Sequence, residues 1–260
     1  MSGHDLRCGM RQGDTGDVAL PWLFWGSAVT KTEVGVADTP STGSQVQFWD
    51  RAAQGKVFAH PLDGGRFQQL VPMAASVLDY GCGRGRLCDE LAQRGYQRLV
   101  GVDYSPEMIA AAQRAHPAAD FRVVDGSSLP FPTAGFDAVL LFAVLTCIAG
   151  NSTQRQLVTE LRRVLRPGGL LLVSDYPLQT DHRNLARYEA FAQETGSGVV
   201  DDADTPYGCF RLPDGGLVRH HTMAWFTTLF ADFKVADRVE FDAVTMNGNP
   251  ARIVQWWLRA

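Results

Sequence analysis

Between residues 76 and 176, short apolar runs alternate with segments of helical period, and this alternation constrains the fold more tightly than any other feature of the chain. The runs read SVLDY, RLVGVDY, FRVVD, FDAVLLF and GLLLVSDY. Strands that alternate with amphipathic helices build βαβ units, and their crossovers lay the strands parallel with helices on both faces of the sheet. The intervening helices carry their own punctuation. GRLCDELAQRG sets Leu87 and Leu91 on one face and stops at Gly95, and Ser105 caps a helix opened by Pro106 and Glu107. STQRQLVTELRRVL stacks Leu157, Leu161 and Leu165 at four-residue spacing and is expected to end at RPGG.

The flanks of this rhythm differ from it. Residues 1–44 are rich in Gly, Ser, Thr and Asp without a sustained period, and read as a poorly ordered extension. Its one aromatic cluster, Leu20 to Val29, is preceded by Asp14 and Asp17 and followed by no clean small-residue cleavage site, which speaks against a secretory leader. VQFWDRAAQGKVFA suggests a short helix, HPLDGGRF a turn, and FQQLVP the approach to the first strand. Beyond Tyr176 a polar helix around NLARYEAFAQETG precedes an acidic loop, GVVDDADTP, and a hairpin of YGCFRL and LVRHH around PDGG. A helix in AWFTTLFADF and a closing hairpin, VADRVEFDAV with ARIVQWWL, finish the chain. The expected organisation is one domain over residues 45–260, in which 177–232 and the helix near Phe48 form a small substrate cap over the carboxyl ends of the strands.

Charge and cysteine content remove several functions. Lys and Arg number 24 against 28 Asp and Glu, so there is no basic excess to wrap a phosphate backbone, and nucleic acid is a disfavoured partner. The five cysteines are odd in number and contain no C-x-x-C, which writes neither a disulfide framework nor a zinc knuckle and points to a cytoplasmic protein. No apolar run reaches the ~20 residues that span a bilayer.

The site signal begins at VLDYGCGRG, residues 77–85. A glycine-rich turn after a first strand lets a ligand touch the backbone at the carboxyl edge of a parallel sheet. The dinucleotide fingerprint would need a glycine at position 86, which is Arg86, and the glycines here are Gly81, Gly83 and Gly85. Asp79 decides against a pyrophosphate, because a carboxylate ahead of the first glycine repels an anion and welcomes an ammonium or sulfonium. Asp103, at the end of the second strand, can accept from both hydroxyls of a ribose. Asp125 with Gly126 suits the amino group of an adenine. Adenine, ribose and a cationic amino acid together describe S-adenosylmethionine.

The chain resembles the class I S-adenosylmethionine-dependent methyltransferases of the small-molecule type, from about Val77 to Tyr176. The motifs are VLDYGCGRG, GVDYSPEMI, VVDGSSLPF, FDAVLLFAVLTCI and LRRVLRPGGLLLVSDY, in order and at family spacing. The resemblance implies a Rossmann-like, doubly wound α/β fold whose seven-stranded sheet has an antiparallel last strand, in agreement with the closing hairpin. It implies that Asp79, Gly81 and Gly83 hold the methionine end and Asp103 the ribose. Tyr104 and Met108 would flank the adenine, Asp125 and Gly126 would edge it, and Phe142 would lie beside the cofactor. LFAVLTC stands where base N-methylating enzymes carry an Asn/Asp-Pro-Pro-aromatic motif, which speaks against that chemistry.

Methyl transfer from a sulfonium is an in-line displacement on an activated carbon, so alignment and desolvation come first and no metal is needed. A base is needed only for a protonated nucleophile, and the candidates are His60, His182, His220 and His221. His220 and His221 end a strand and point to opposite faces, so at most one meets the pocket, and His221 is the choice. Tyr176 and Asp175 end the fifth strand, where such sheets place ligand contacts, and Tyr207 and Phe210 are candidates for an aromatic lining. The expected function is methyl transfer to a small molecule, yielding S-adenosylhomocysteine. The rivals are a tRNA or protein methyltransferase, a protein that uses or senses the cofactor without transferring its methyl group, and an NAD-dependent reductase.

Overall fold

The structure, a computed structural model, describes residues 42–53, 55–56, 60–125, 128–195 and 207–260. The expected disorder of the N-terminal extension, the acidic loop 198–206 and Gly126 therefore lie outside the described residues, apart from the helical backbone that starts at Thr42.

β1 (Ser76–Tyr80) holds the middle of the parallel part of a seven-stranded sheet, between β2 (Arg98–Asp103) and β4 (Phe136–Phe142), with β3 (Asp120–Val123) at the edge. β5 (Leu165–Asp175) follows β4, and β9 (Pro250–Arg259) inserts antiparallel between β5 and β8 (Lys234–Val244), giving the order β3-β2-β1-β4-β5-β9-β8. The last strand is thus the antiparallel one. The sheet is doubly wound, and its strands read as continuous apolar runs because both faces are covered. Neighbours in sequence go to opposite sides: Val77, Leu140, Leu172 and Trp257 pack with α2 (Gly64–Leu70) and α3 (Arg86–Gln93), while Leu78, Leu141, Val173 and Trp256 pack with α5 (Asn151–Val164) and α7 (Met223–Leu229). α4 (Pro106–Ala115) joins the α3 side through Ile109 and Ala112 against Cys88. Each such large side chain, fully buried, contributes about 1.5–3 kcal/mol.

Four boundaries differ from expectation, each for a local reason. The first helix, α1, spans Thr42–Ala52 and ends before the Gly55 turn. GGRFQQL is a helix rather than a turn and a lead-in: Asp63 accepts the Arg66 amide as N-cap, and Phe67 drives the short turn of helix into the core. RPGG does not separate α5 from β5 but lies inside the strand, whose pairing with β4 starts at Phe136↔Leu165 and shifts register before Ala138. Finally, α7 belongs to the main core: Phe226 and Phe230 pack on Trp256, so residues 223–232 are part of the sheet's cover and not of a cap.

What stands over the strand ends is smaller. α6 (His182–Thr195) and the separate hairpin β6 (Cys209–Arg211) and β7 (Leu217–Arg219) share a third core in which Phe48 of α1 meets Tyr188, Phe210, Leu212 and Val218. Pro177 bridges to His221, which ties this hairpin directly to the chain leaving β5. Among the described residues no helix is long and apolar enough to cross a membrane.

Candidate functional site

The β1–α3 turn owes its shape to glycine at two positions above all. Gly81 has φ +73° and a Cβ there would lie 2.4 Å from Val144 Cγ2, so the chain passes under the β4 end with no room for a side chain. Gly83 has φ +52° but meets only Met108 Sδ, at 3.9 Å, so its bare backbone faces open space in which a ligand can approach. Gly85, also left-handed, opens α3 as its N-cap.

Asp103 links this turn to the next one along the sheet edge. One carboxylate oxygen accepts the Gly83 amide at 2.9 Å and the other accepts the Ser105 amide at 2.9 Å. The Tyr104 amide is a third backbone donor, and of the roughly four lone-pair sites of a carboxylate this still leaves capacity to accept from the ribose. Burial lifts this carboxyl to about 6, opposed by its backbone donors. Ser105 in turn accepts the Met108 amide and donates to Asp50 of α1, which brings the N-terminal helix down beside Tyr104 and Met108.

Asp79 is buried with a weak protein donor, the Cys88 thiol at 3.8 Å. Desolvation pushes it from 3.8 to about 7, with Arg86 opposing and Asp103 reinforcing the rise. A carboxyl sunk in a cavity wall and short of donors is suited to a cationic ligand. Around these groups lies one cavity of about 1340 Å³, lined by Asp79, Gly81, Gly83, Asp103, Tyr104, Met108, Asp125 and Phe142 at one end. All the described cofactor candidates therefore share one space. The donors, the anion and the glycine backbone fit S-adenosylmethionine.

The other end of the cavity is aromatic. Tyr176 lines it, stacked on His220 with centroids 5.2 Å apart and edge-on to His60 at 4.7 Å. Tyr188 receives the Gln179 amide at 3.2 Å and its hydroxyl lies 2.5 Å from His220 Nδ1. With that hydroxyl donating, the His220 proton sits on Nε2. Ala143, directly after β4, adopts φ 54° and its amide donates to Ser174 O, a strained position that re-aims the chain so that Val144 passes beneath Gly81.

The choice between the two adjacent histidines is corrected here: His220 lines the cavity and His221 does not. His221 is fully buried, and Gln154 Nε2, which can only donate, lies 2.9 Å from its Nε2, so the ring is neutral with its proton on Nδ1 beside Tyr176 O at 3.4 Å. Burial and Arg219 hold it well below the ordinary imidazole range. Asp175 is likewise internal: it accepts the Tyr176 and Thr146 amides and fixes the turn after β4. Phe210 lines the cavity, whereas Tyr207 packs on Tyr188 behind it. His182 is exposed at the start of α6, and His60 lines the wall with its Nδ1 3.1 Å from Ser174 Oγ. Sequence reasoning missed Arg183, Asn184 and Arg187, which α6 contributes to the lining. Their only signal was a polar helix.

A family model described as a methyltransferase domain matches residues 78–173, from β1 to near the end of β5. Among curated proteins, a probable S-adenosylmethionine-dependent methyltransferase of Mycolicibacterium smegmatis is 37% identical over 158 residues, covering 55% of this chain and 60% of that one. EEF1A lysine methyltransferase 4 of Bos taurus is 33% identical over 170 residues, covering 55% and 67%. The crystal structure of a SAM-dependent methyltransferase from Methanosarcina mazei superposes with a TM-score of 0.68 at 24% identity over 78% of this chain and 98% of that one. The chain spans about half of the length of many of the curated relatives it matches. It belongs to the class I S-adenosylmethionine-dependent methyltransferases. The cofactor of that family is S-adenosylmethionine.

Proposed function

We propose that this chain transfers a methyl group from S-adenosylmethionine to a small-molecule acceptor. The observation that carries the reading is one continuous cavity of about 1340 Å³, larger than the ~300–1,000 Å³ of a site for one drug-sized ligand. It has room for the cofactor at the glycine end and a second small molecule against the aromatic end. Bound there, S-adenosylmethionine supplies a sulfonium-activated methyl group for in-line displacement by an acceptor lone pair.

The chain's own residues align the partners and keep water out. Asp79 would face the cationic amino-acid end, Asp103 the ribose, Tyr104 and Met108 the adenine with Asp125 at its edge, and Phe142 the space between the two ends. Tyr176 and His220 present a flat, neutral wall. Desolvation holds His220 at about 3 and His60 at about 4, and burial pushes Tyr176 well above the ordinary phenol range. The wall therefore aligns an acceptor whose nucleophilic lone pair is already available. α6, the β6–β7 hairpin and α1 act as the acceptor cap, and free buried thiols at Cys82, Cys88 and Cys209 suit a reducing, cytoplasmic setting.

The test is calorimetric titration with S-adenosylmethionine, S-adenosylhomocysteine and NAD, followed by methyl-labelled cofactor offered with small acids, phenols and amines, with tRNA, and with protein. Binding of the first two ligands and label in a small molecule supports the reading. NAD binding alone would refute it, and label only in protein would move the assignment towards the activity for which the bovine relative is named.

A further inference from the structure

Resting on that reading, we propose that the acceptor is an apolar carboxylic acid whose carboxylate is held by Arg187, with Arg183 beside it, on the α6 wall of the cavity. α6 brings Arg183, Asn184 and Arg187 to the cavity lining, the two arginines lying one turn apart. Arg187 is half-buried, its guanidinium 4.8 Å over the Phe210 ring. Its Nη1 donates to Asn184 Oδ1 at 3.3 Å, and among the described residues no carboxylate forms an ion pair with it. A guanidinium carries five N–H donors in a planar fork that matches a carboxylate, so most of this one remains available to a ligand.

The surroundings leave that charge uncompensated. Burial presses most against the ionised form of Arg187, and Arg183 adds to it, while Asp181 is the carboxylate that acts the other way. Asp181 is committed to the start of α6, where Oδ1 accepts the Asn184 amide at 3.2 Å and Oδ2 its side-chain nitrogen at 2.6 Å. Those bonds hold its carboxyl below the ordinary value, so it is ionised at neutral pH. Among the described residues, two guanidiniums stand against one carboxylate with His220 neutral, an excess of one positive charge on this wall. A singly charged carboxylate balances it; a dianionic phosphate would not.

The rest of the lining selects the body of the acid. Phe210, Leu212 and Val218 of the hairpin, with Tyr176 and Phe142, face the same space and are apolar or aromatic. Transfer of a flat apolar group from water to that wall gives about 25 cal/mol per Å². A carboxylate also arrives ionised at neutral pH, so the absence of a tuned base at His220, His60 and Tyr176 costs it nothing.

Benzoate, benzamide and benzylamine carry the same ring with a negative, a neutral and a positive group. Each is titrated by ligand-observed NMR into the full chain saturated with S-adenosylhomocysteine. Benzoate is expected to bind about tenfold tighter than the other two, Arg187→Gln to remove about that tenfold preference, and Arg187→Lys to restore part of it. Both variants are expected to keep wild-type affinity for S-adenosylhomocysteine, which shows that the fold and the cofactor end are intact. Equal binding of the three probes, no binding of benzoate, preference for benzylamine, or indifference of benzoate to Arg187→Gln overturns the proposal while leaving methyl transfer standing. Failure of the wild-type chain to bind S-adenosylhomocysteine overturns the cofactor reading, and this proposal with it.

Discussion

Replacing Asp79 by Asn isolates the cofactor end of the cavity without requiring an acceptor. Asp79 is the next-to-last residue of β1, is 2% exposed, and its carboxyl is lifted by burial from 3.8 to about 7. In the unfolded chain it returns to the ordinary value. Below pH 3.8 both states hold the proton, and between 3.8 and about 7 only the folded state does. Stability therefore falls as pH rises through that window, and the loss is complete above it. At 1.36 kcal/mol per unit, the two units between pH 5 and about 7 correspond to about 3 kcal/mol. Asn keeps the shape without the charge. In urea unfolding of the cofactor-free protein, the stability of Asp79→Asn relative to wild type is expected to rise by about 3 kcal/mol between pH 5 and pH 8. Asp175, lifted to about 7, tilts both proteins alike and drops out of the difference; the repulsion between Asp103 and Asp79 is lost in the variant and is already counted in the rise at Asp79. The same substitution is expected to weaken S-adenosylmethionine binding at pH 8 by about tenfold or more, because a buried charge-assisted contact is lost. A stability difference flat in pH, or unchanged affinity for the cofactor, would refute the idea that Asp79 is a desolvated anion kept for a cationic ligand.

Three further substitutions probe the remaining walls. Asp103→Ala is expected to weaken S-adenosylhomocysteine binding by about 2–3 kcal/mol in calorimetric titration, and wild-type affinity would exclude a ribose contact at Asp103. His221→Ala, which leaves a cavity in the core and removes the contact to Gln154 Nε2, is expected to lose about 2–4 kcal/mol in urea unfolding with cofactor affinity kept; His220→Phe should keep the fold and lower acceptor turnover, and the reverse pattern would restore His221 to the site. Lys56 reaches Asn247 Oδ1 at 2.5 Å and Asp214 at 3.0 Å, joining two loops beside the cavity-lining residues Thr245 and Met246. Because that pair is partly exposed, Lys56→Met is expected to change stability by under about 0.5 kcal/mol but to speed S-adenosylhomocysteine release in stopped-flow displacement; an unchanged off-rate would remove the loops from ligand retention.

The two ends of the cavity were legible to different degrees because they are encoded at different ranges. The cofactor end is local: β1, the glycine turn, α3, β2 and the Ser105 cap follow within about 30 residues, and each is fixed by strand pattern, by φ > 0 or by a cap that sequence alone displays. Asp79, Asp103, Tyr104 and Met108 could be placed together for that reason, since a parallel sheet delivers every such turn to one edge. The acceptor end has no such local rule. His220 and His221 differ only in the parity of β7, and parity is set by the pairing Cys209↔Arg219 and by the bridge to Pro177, neither of which leaves a trace in the residues themselves. Arg187 was hidden for another reason: a helix with Asn, Arg and Glu on most faces reads as solvated, and only its packing through Tyr188 onto the hairpin brings Arg187 and the more exposed Arg183 to the cavity lining. GGRFQQL failed as a helix because two glycines outweigh propensity, until Asp63 supplies the cap and Phe67 the burial. A binding edge made of turns is thus readable from composition and order, whereas a wall assembled from a helix, a hairpin and an N-terminal segment depends on contacts between residues far apart in sequence, as between Phe48 and Gly216, 168 positions on, where a Cβ would lie 2.7 Å from the ring. Acceptor choice resides in that second wall, which is why the family could be read from the cofactor end and why the substrate class has to be argued from the charge balance of Arg183, Arg187 and Asp181.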